Sequence, residues 1–330
     1  MSYRLRLRRK RWKIRAIRRS RELTTVANRT RQLKQSDILL CATLRNERVR
    51  LPFFLSYYRA LGINHFLLVD NGSDDGTQDY LKEQPDVSLW HTNASYRRAR
   101  FGVDWLNWIM RRHAHNHWTL TVDADEFFVY PHSDSRPLTA LTDWLDSRNV
   151  RSFGALLLDV YSKGEPDPYR EGENPIPLTP WFDPANYTVS RNPKIRNLWI
   201  QGGPRARSYF AKEPDRAPSL NKIPLVKWHR KNVWESSTHS LLPRGLNLVY
   251  DEWGGEKSSG CLLHTKYLQD FTARCAEEVA RHQHYSGARE YKAYSQIGDS
   301  FPNFWTPQSK KFESWQTLEE LGLMSRGGWA

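Results

Sequence analysis

The sequence predicts an α/β fold: a mostly parallel sheet with helices on both faces, followed by a second region that completes one side of a cleft. Three observations carry this expectation. Short apolar runs of strand length alternate, over the first half of the chain, with segments whose apolar residues recur at helical spacing. Three of the first four runs end in clusters of acids and amides. The 330 residues are also ample for one large core.

The elements follow in order. Residues 38–43, Ile-Leu-Leu-Cys-Ala-Thr, read as a strand buried on both faces. Leu51, Phe54, Leu55 and Tyr58 lie at helical spacing, and Gly62 stands where a helix end favours a left-handed residue. Residues 65–69 form a second strand pattern, after which Ser73 and Asp74 suit the cap of a helix carrying Tyr80 and Leu81. Residues 87–90 read as a third strand, Trp105, Trp108 and Ile109 as a helix, and residues 118–122 as a fourth strand. Beyond them, residues 138–145 predict a helix and 153–160 a fifth strand. Pro and Gly crowd residues 163–183, which marks a long connection. Residues 246–264 have no clear period, whereas 271–284 and 312–323 predict helices.

The net charge of +14 is concentrated at one end. Residues 1–36 hold 14 Lys or Arg against the single acid Glu22, so the remaining chain is nearly neutral. A nucleic-acid-binding fold needs cations spread over its folded surface, and this distribution disfavours one. The arm lacks the apolar core of a signal or membrane-spanning segment. Its interspersed Leu5, Leu7, Trp12, Ile14 and Ile17 leave two expectations open: a disordered solvated arm, or residues 1–21 lying on an anionic membrane surface. Cys41, Cys261 and Cys275 are far apart and read as reduced thiols of a cytoplasmic protein, one that could be peripheral at the inner membrane face.

The chemistry sits at the strand ends. Asp123 and Asp125, one residue apart after the fourth strand, can jointly hold a hard divalent cation and through it a diphosphate. Arg45, Asn46 and Glu47 follow the first strand, and Asp70 and Asn71 the second. In parallel sheets ligands bind beyond the carboxyl ends of the strands. Asp70, Asn71 and Ser73 also suit a tight turn and a helix cap, a role compatible with binding.

The order Leu44-Arg45-Asn46-Glu47, then residues 57–63, then Asp70-Asn71-Gly72-Ser73-Asp74-Asp75-Gly76-Thr77, then Trp118 through Asp123-Ala124-Asp125-Glu126 resembles the bacterial family 2-like glycosyltransferases of the GT-A fold. The resemblance implies an inverting transfer of a sugar from a nucleotide-diphosphate donor, UDP-sugar foremost, to a glycan or lipid-linked glycan in surface or exopolysaccharide synthesis, with Mn²⁺ or Mg²⁺ as cofactor. It would put Asp123 and Asp125 on the metal, Asp70 near the base or ribose, and Glu47 beside the nucleotide with Arg45, Asn46 and Asn71. It divides the chain into the arm 1–36, a donor half 37–165, an acceptor half 166–285 and a helical extension 286–330. In the second half it is looser. It points to Lys222, or Lys266, as a diphosphate cation and to His239, alternatively His264, as a third metal ligand.

An inverting transfer also needs a base. Asp159, ending the fifth strand, is the first candidate, followed by Asp251 and Glu252. His113, His115, His117, His282 and His284 have zinc-like spacing without supporting ligands. Two other functions compete. Nucleotidyl transfer wants a glycine-shaped phosphate loop after the first strand, absent from Arg45-Asn46-Glu47. A non-catalytic nucleic-acid binder would use the arm alone.

Overall fold

The computed structural model describes residues 3–250, 256–281 and 301–329. Asp251, Glu252, His282 and His284 lie outside the described residues. The strands expected of the first half all form: β1 (Thr24–Ala27) is an addition, and β2 (Leu39–Leu44), β3 (His65–Asp70), β4 (Val87–His91) and β5 (Trp118–Thr121) follow the apolar runs. Helices α1 (Tyr3–Arg19), α2 (Leu51–Leu61), α3 (Thr77–Glu83), α4 (Val103–His113) and α5 (Leu138–Ser147) precede or separate them. Strands β4, β3, β2 and β5 pair in parallel, with β1 antiparallel on the outer edge.

The alternation of side chains in these strands decides which helix each face receives. Leu40, Ala42, Phe66 and Leu68 point to the face covered by α2 and α5, where Phe54, Leu55 and Tyr58 pack. Leu39, Cys41, Leu67 and Val69 point to the other, covered by Trp105, Ile109 and Met110 of α4. Helix α2 ends at Gly62, whose φ of 103° is the left-handed conformation that a side chain resists. The N-terminus of α3 is closed by Asp75, whose Oδ1 accepts the Thr77 N–H at 3.0 Å, and not by Ser73 or Asp74.

The second half joins the same sheet with mixed direction. Strands β6 (Glu126–Val129), β7 (Ser152–Tyr161), β8 (Trp181–Phe182), β9 (Tyr187–Asn192), β10 (Asn197–Gly202), β11 (Asn221–Lys227), β12 (Val233–Ser236), β13 (Ser240–Leu242) and β14 (Ser259–His264) form here. Strand β11 pairs antiparallel to both β5 and β7, and β14 lies between β7, in parallel, and β6, antiparallel. Strand β14 comes from the stretch whose pattern is unreadable in sequence, because a central strand needs only an apolar run, here Cys261-Leu262-Leu263. Strands β9 and β10 form a hairpin that leads into α6 (Gly203–Tyr209); β12 and β13 form another. Helix α7 (Phe271–Arg281) follows. In residues 301–329, β15 (Lys310–Lys311) pairs with β8, and the short α8 (Trp315–Glu320) puts Trp315 and Leu318 into the main core. This part is a strap closing the core; residues 286–300 of the expected helical extension lie outside the described residues. Cys41, Cys261 and Cys275 are buried and form no disulfide.

The N-terminal arm is a folded, docked helix. Leu5 and Ala16 of α1 are buried, Leu5 against Val233 and Leu242. Arg15 Nε meets Asp104 Oδ2 at 2.6 Å, Arg8 meets Glu235 at 2.7 Å, and Arg100 stacks over Trp12 at 4.0 Å. Sequence composition registers the arm's charge but not the buried acids Asp104 and Glu235 that receive it. No helix among the described residues is long and apolar enough to cross a membrane.

If α1 is docked in this way, Leu5→Ala costs about 2–3 kcal/mol in urea unfolding, as for a buried leucine. Leu7→Ala, on the exposed side, stays within about 0.5 kcal/mol.

Candidate functional site

A cavity of about 1140 Å³ opens at the strand ends, lined by Asp123, Asp125, Glu126, Lys222, His264 and residues from both halves. It forms because five termini meet. Asp123 and Asp125 follow β5, Glu126 begins β6, Lys222 lies near the start of β11, Asp159 lies two residues before the end of β7, and His264 closes β14. The pairing register sets His264 beside Asp159 on one side and Glu126 on the other.

The turn after β5 is tight. Glu126 N–H donates to Asp123 O, and Glu126 Oε2 accepts the Asp123 N–H at 3.2 Å. The Asp125 carbonyl accepts the Thr265 N–H at 2.8 Å, tying this turn to the end of β14. The Asp123 side chain is 58% exposed, whereas that of Asp125 is 22% exposed.

His264 joins two carboxylates. Its Nδ1 donates to Asp159 Oδ1 at 2.7 Å, and its Nε2 lies 3.3 Å from Asp125 Oδ2. Burial disfavours the charged ring, but Asp125 and Asp159 outweigh it and raise its pKa to about 9. Burial pushes Asp125 upward, and the His264 charge, with Arg50 and Lys266 further off, overrides this to hold it well below the usual carboxylate range. Asp159 is also depressed, because Arg205 and His264 outweigh its burial. Arg205 Nε donates to Asp159 Oδ2 at 2.7 Å.

Asp159 is therefore spent on Arg205 and His264, its side chain is fully buried, and it does not line the cavity. That geometry opposes the expected role as base and makes it the residue that orients the imidazole. His239 lines the cavity but bonds through Nδ1 to the Asn221 carbonyl at 2.7 Å. Burial, aided by Lys222, lowers its pKa to about 3. Of the two histidines, His264 is the one beside Asp125.

Lys222 is buried with its Nζ 2.8 Å from Glu126 Oε1 and 3.8 Å from Asp123 Oδ2. Burial alone would lower its pKa; Glu126 and Asp123 outweigh this and raise it. Glu126, part of the sequence motif yet given no role there, is the partner that keeps this charge in place. On the far wall, Arg50 meets Glu47 at 3.2 Å and Arg274 also contacts Glu47. Burial raises the Glu47 pKa to about 8. Arg50, Arg205 and Arg274 escaped sequence reading because nothing local marks an arginine that reaches a distant strand end.

The remaining expected residues divide. Arg45 and Asn71 line the cavity. Arg45 donates to the Gly72 carbonyl, and Gly72, at φ 70°, leaves that approach open: a Cβ there would lie 3.2 Å from the guanidinium and 2.7 Å from Asn93 Oδ1. Asn46, at φ 52°, laces the first two loops through the Ser73 hydroxyl and the Asp74 N–H. Asp70 is fully buried, accepts from Ser73 and Gln78, and meets His91 Nδ1 at 2.7 Å; neither it nor Asn46 lines the cavity. Asp70 thus keeps its turn role.

Carboxylate oxygens fit Mn²⁺ or Mg²⁺, an imidazole beside them favours the transition metal of the two, and bracing by a second carboxylate is the usual support for such a ligand. Asp125 and His264, braced by Asp159, meet that test, with Asp123 at the cavity mouth. No group of three or more histidine, cysteine, aspartate or glutamate side chains is already gathered as a metal cluster among the described residues. His113 stacks on Trp90, His115 on His229, and His117 bonds to the Asp37 carbonyl.

No protein-family model matches the chain, and no curated protein matches it. Among solved structures the chain is similar to a 4-diphosphocytidyl-2C-methyl-D-erythritol synthase at 19% identity and TM-score 0.25, covering 41% of this chain and 64% of that one. It is also similar to a protein assigned as a glucose-1-phosphate thymidylyltransferase from Bacillus anthracis, in complex with a sucrose, at 8% identity and TM-score 0.31, covering 87% and 93%. Likeness at these scores carries no argument, and the α/β class rests on the sheet itself.

Removing one partner of a buried ion pair leaves the other charge stranded. Lys222→Ala is expected to destabilise the fold by about 3–5 kcal/mol in urea unfolding, and Lys222→Met combined with Glu126→Gln to recover most of that loss.

Proposed function

We propose that this chain is a glycosyltransferase that takes its sugar from a nucleotide-diphosphate donor, UDP-sugar foremost, and passes it to a glycan or lipid-linked glycan acceptor. The single observation carrying this reading is the convergence of Asp125 with the braced His264, and of Asp123 with Lys222, at the mouth of one cavity. Acids alone repel a diphosphate; acids beside fixed cations and a divalent ion hold one.

Asp123, Asp125 and, with its Nε2 proton released to solvent on binding, His264 would hold Mn²⁺ or Mg²⁺, which supplies positive charge to the diphosphate leaving group. The chain's own residues do the rest. Asp159 and Arg205 fix the imidazole so that Nε2 faces Asp125. Lys222, kept charged by Glu126, adds a positive charge that needs no reorganisation as negative charge develops. Arg50 and Arg274 line the opposite wall with Glu47. Trp199 and Tyr96 give the cavity ring faces suited to stacking a sugar or a base.

Thermal melts with UDP-, GDP- and dTDP-sugars, each with and without Mn²⁺, test the reading. A donor at a hundred times its dissociation constant adds about 2.7 kcal/mol of stability, and this gain depends on the metal. Asp123→Ala, which removes the exposed carboxylate of the pair, is expected to lower donor hydrolysis or transfer about a thousandfold without lowering the melting temperature. Undiminished turnover in that variant refutes the proposal. Pyrophosphate release from a nucleoside triphosphate and a sugar 1-phosphate, with no sugar transfer, would assign nucleotidyl transfer instead. As a measure of the bracing, Asp159→Asn is expected to weaken Mn²⁺ binding about 10- to 100-fold in a calorimetric titration.

A further inference from the structure

Helix α1 has two unlike faces. One is docked: Leu5 and Ala16 are buried, and Arg8, Arg15 and Arg19 pair with Glu235, Asp104 and Glu22. The opposite face holds Tyr3, Leu7, Ile14 and Ile17, which are 74%, 49%, 41% and 43% exposed. At 100° per residue these four fall within one narrow stripe, diametrically opposed to Leu5 and Ala16. Eight large hydrophobic side chains are exposed among the described residues, and half of them stand on this stripe.

The stripe has a charged border. Arg6 and Lys13 flank one edge, Arg4, Arg11 and Arg18 the other, and Lys10 lies within it. None of these six cations has an ion-pair partner among the described residues, and the helix contains no acid. Lys13 is pushed down to about 8 by burial and by the neighbouring Arg9, Arg111 and Lys231. The fold thus keeps a row of cations where it supplies them no counter-charge.

We infer that the outer face of α1 is a docking surface for an anionic lipid bilayer, its apolar stripe entering the headgroup boundary and its flanking cations meeting lipid phosphates. A helix that lies in an interface needs this pattern, an apolar stripe edged by Lys and Arg. A protein's apolar groove or nucleic acid would match only one component: the groove would take the stripe but give the cations along it no counter-charge, and nucleic acid would meet the cations but give the four apolar side chains no apolar phase. The docked face then holds the domain at the surface in a fixed attitude. Arg8 reaches Glu235, which lines the cavity, so the cavity wall lies about one helix diameter, ~10 Å, from the lipid. The inference does not depend on sugar transfer.

The test is sedimentation of the full chain with sucrose-loaded vesicles, either phosphatidylcholine alone or phosphatidylcholine with 30 mol% phosphatidylglycerol, a composition set to about the anionic range in which polybasic segments bind. The expected result is pelleting with the anionic vesicles and none with the neutral ones. Leu7→Ser with Ile14→Ser, both exposed, is expected to abolish pelleting while the melting temperature is unchanged. Each of Lys10→Gln and Arg18→Gln is expected to weaken partitioning about fivefold at low salt. Absence of pelleting by the wild-type chain overturns the inference. So does a Leu7→Ser, Ile14→Ser chain that pellets as well as wild type, and its equal retention by single-stranded RNA would identify a polyanion held by charge alone.

Discussion

The clamp of His264 between Asp159 and Asp125 is the interaction on which the rest of the cleft depends. An imidazole buried between two carboxylates is stable only as part of a charge-balanced set, and Arg205 supplies the fourth member behind Asp159. The arrangement demands that β7 and β14 run side by side in the same direction with His264 level with Asp159, because a shift of one residue would turn His264 to the other face of the sheet. Register, and with it the apolar pairing of Leu157 with Leu262 and Leu158 with Leu263, is therefore a condition of the site's chemistry.

A second buried balance complements the first. Lys222 and Glu126 neutralise each other across the same opening, so that the exposed carboxylate of Asp123 faces a cation instead of a second bare acid. Both sets are built from residues at strand termini, where backbone geometry is fixed by the sheet and little rotamer freedom is left to lose.

The legible part of this architecture was its local part. Runs such as residues 65–69 and the helical spacing of Leu51, Phe54, Leu55 and Tyr58 carry their own signal, as does the acid pair that ends the fourth apolar run. The rest depended on pairing across long separations. Nothing near residue 264 says that its strand enters the sheet next to β7, so the sequence put His239 ahead of His264, and Asp159 read as an available base because Arg205 lies 46 positions away. The arm misled in the same manner: its cations are visible in the chain, but Asp104 and Glu235 become their partners only once α4 and β12 are in place. Asp70 shows the reverse case, a polar strand end whose turn-closing duty was readable and which the fold buries.

Strand β14 has a consequence for the order in which the molecule can be made. It occupies the gap between β6 and β7, two strands that precede it in the chain by about a hundred residues or more, and it pairs with both. Until residues 259–264 have left the ribosome, β6 and β7 each present an unpaired, apolar edge, the kind of template on which nascent chains associate wrongly. Non-local pairing of this sort is also slow. Translation pace and chaperone capture over that interval would thus govern the yield of folded protein, and a nascent chain halted before it would have Asp123 and Asp125 at the end of β5 but no imidazole to face them.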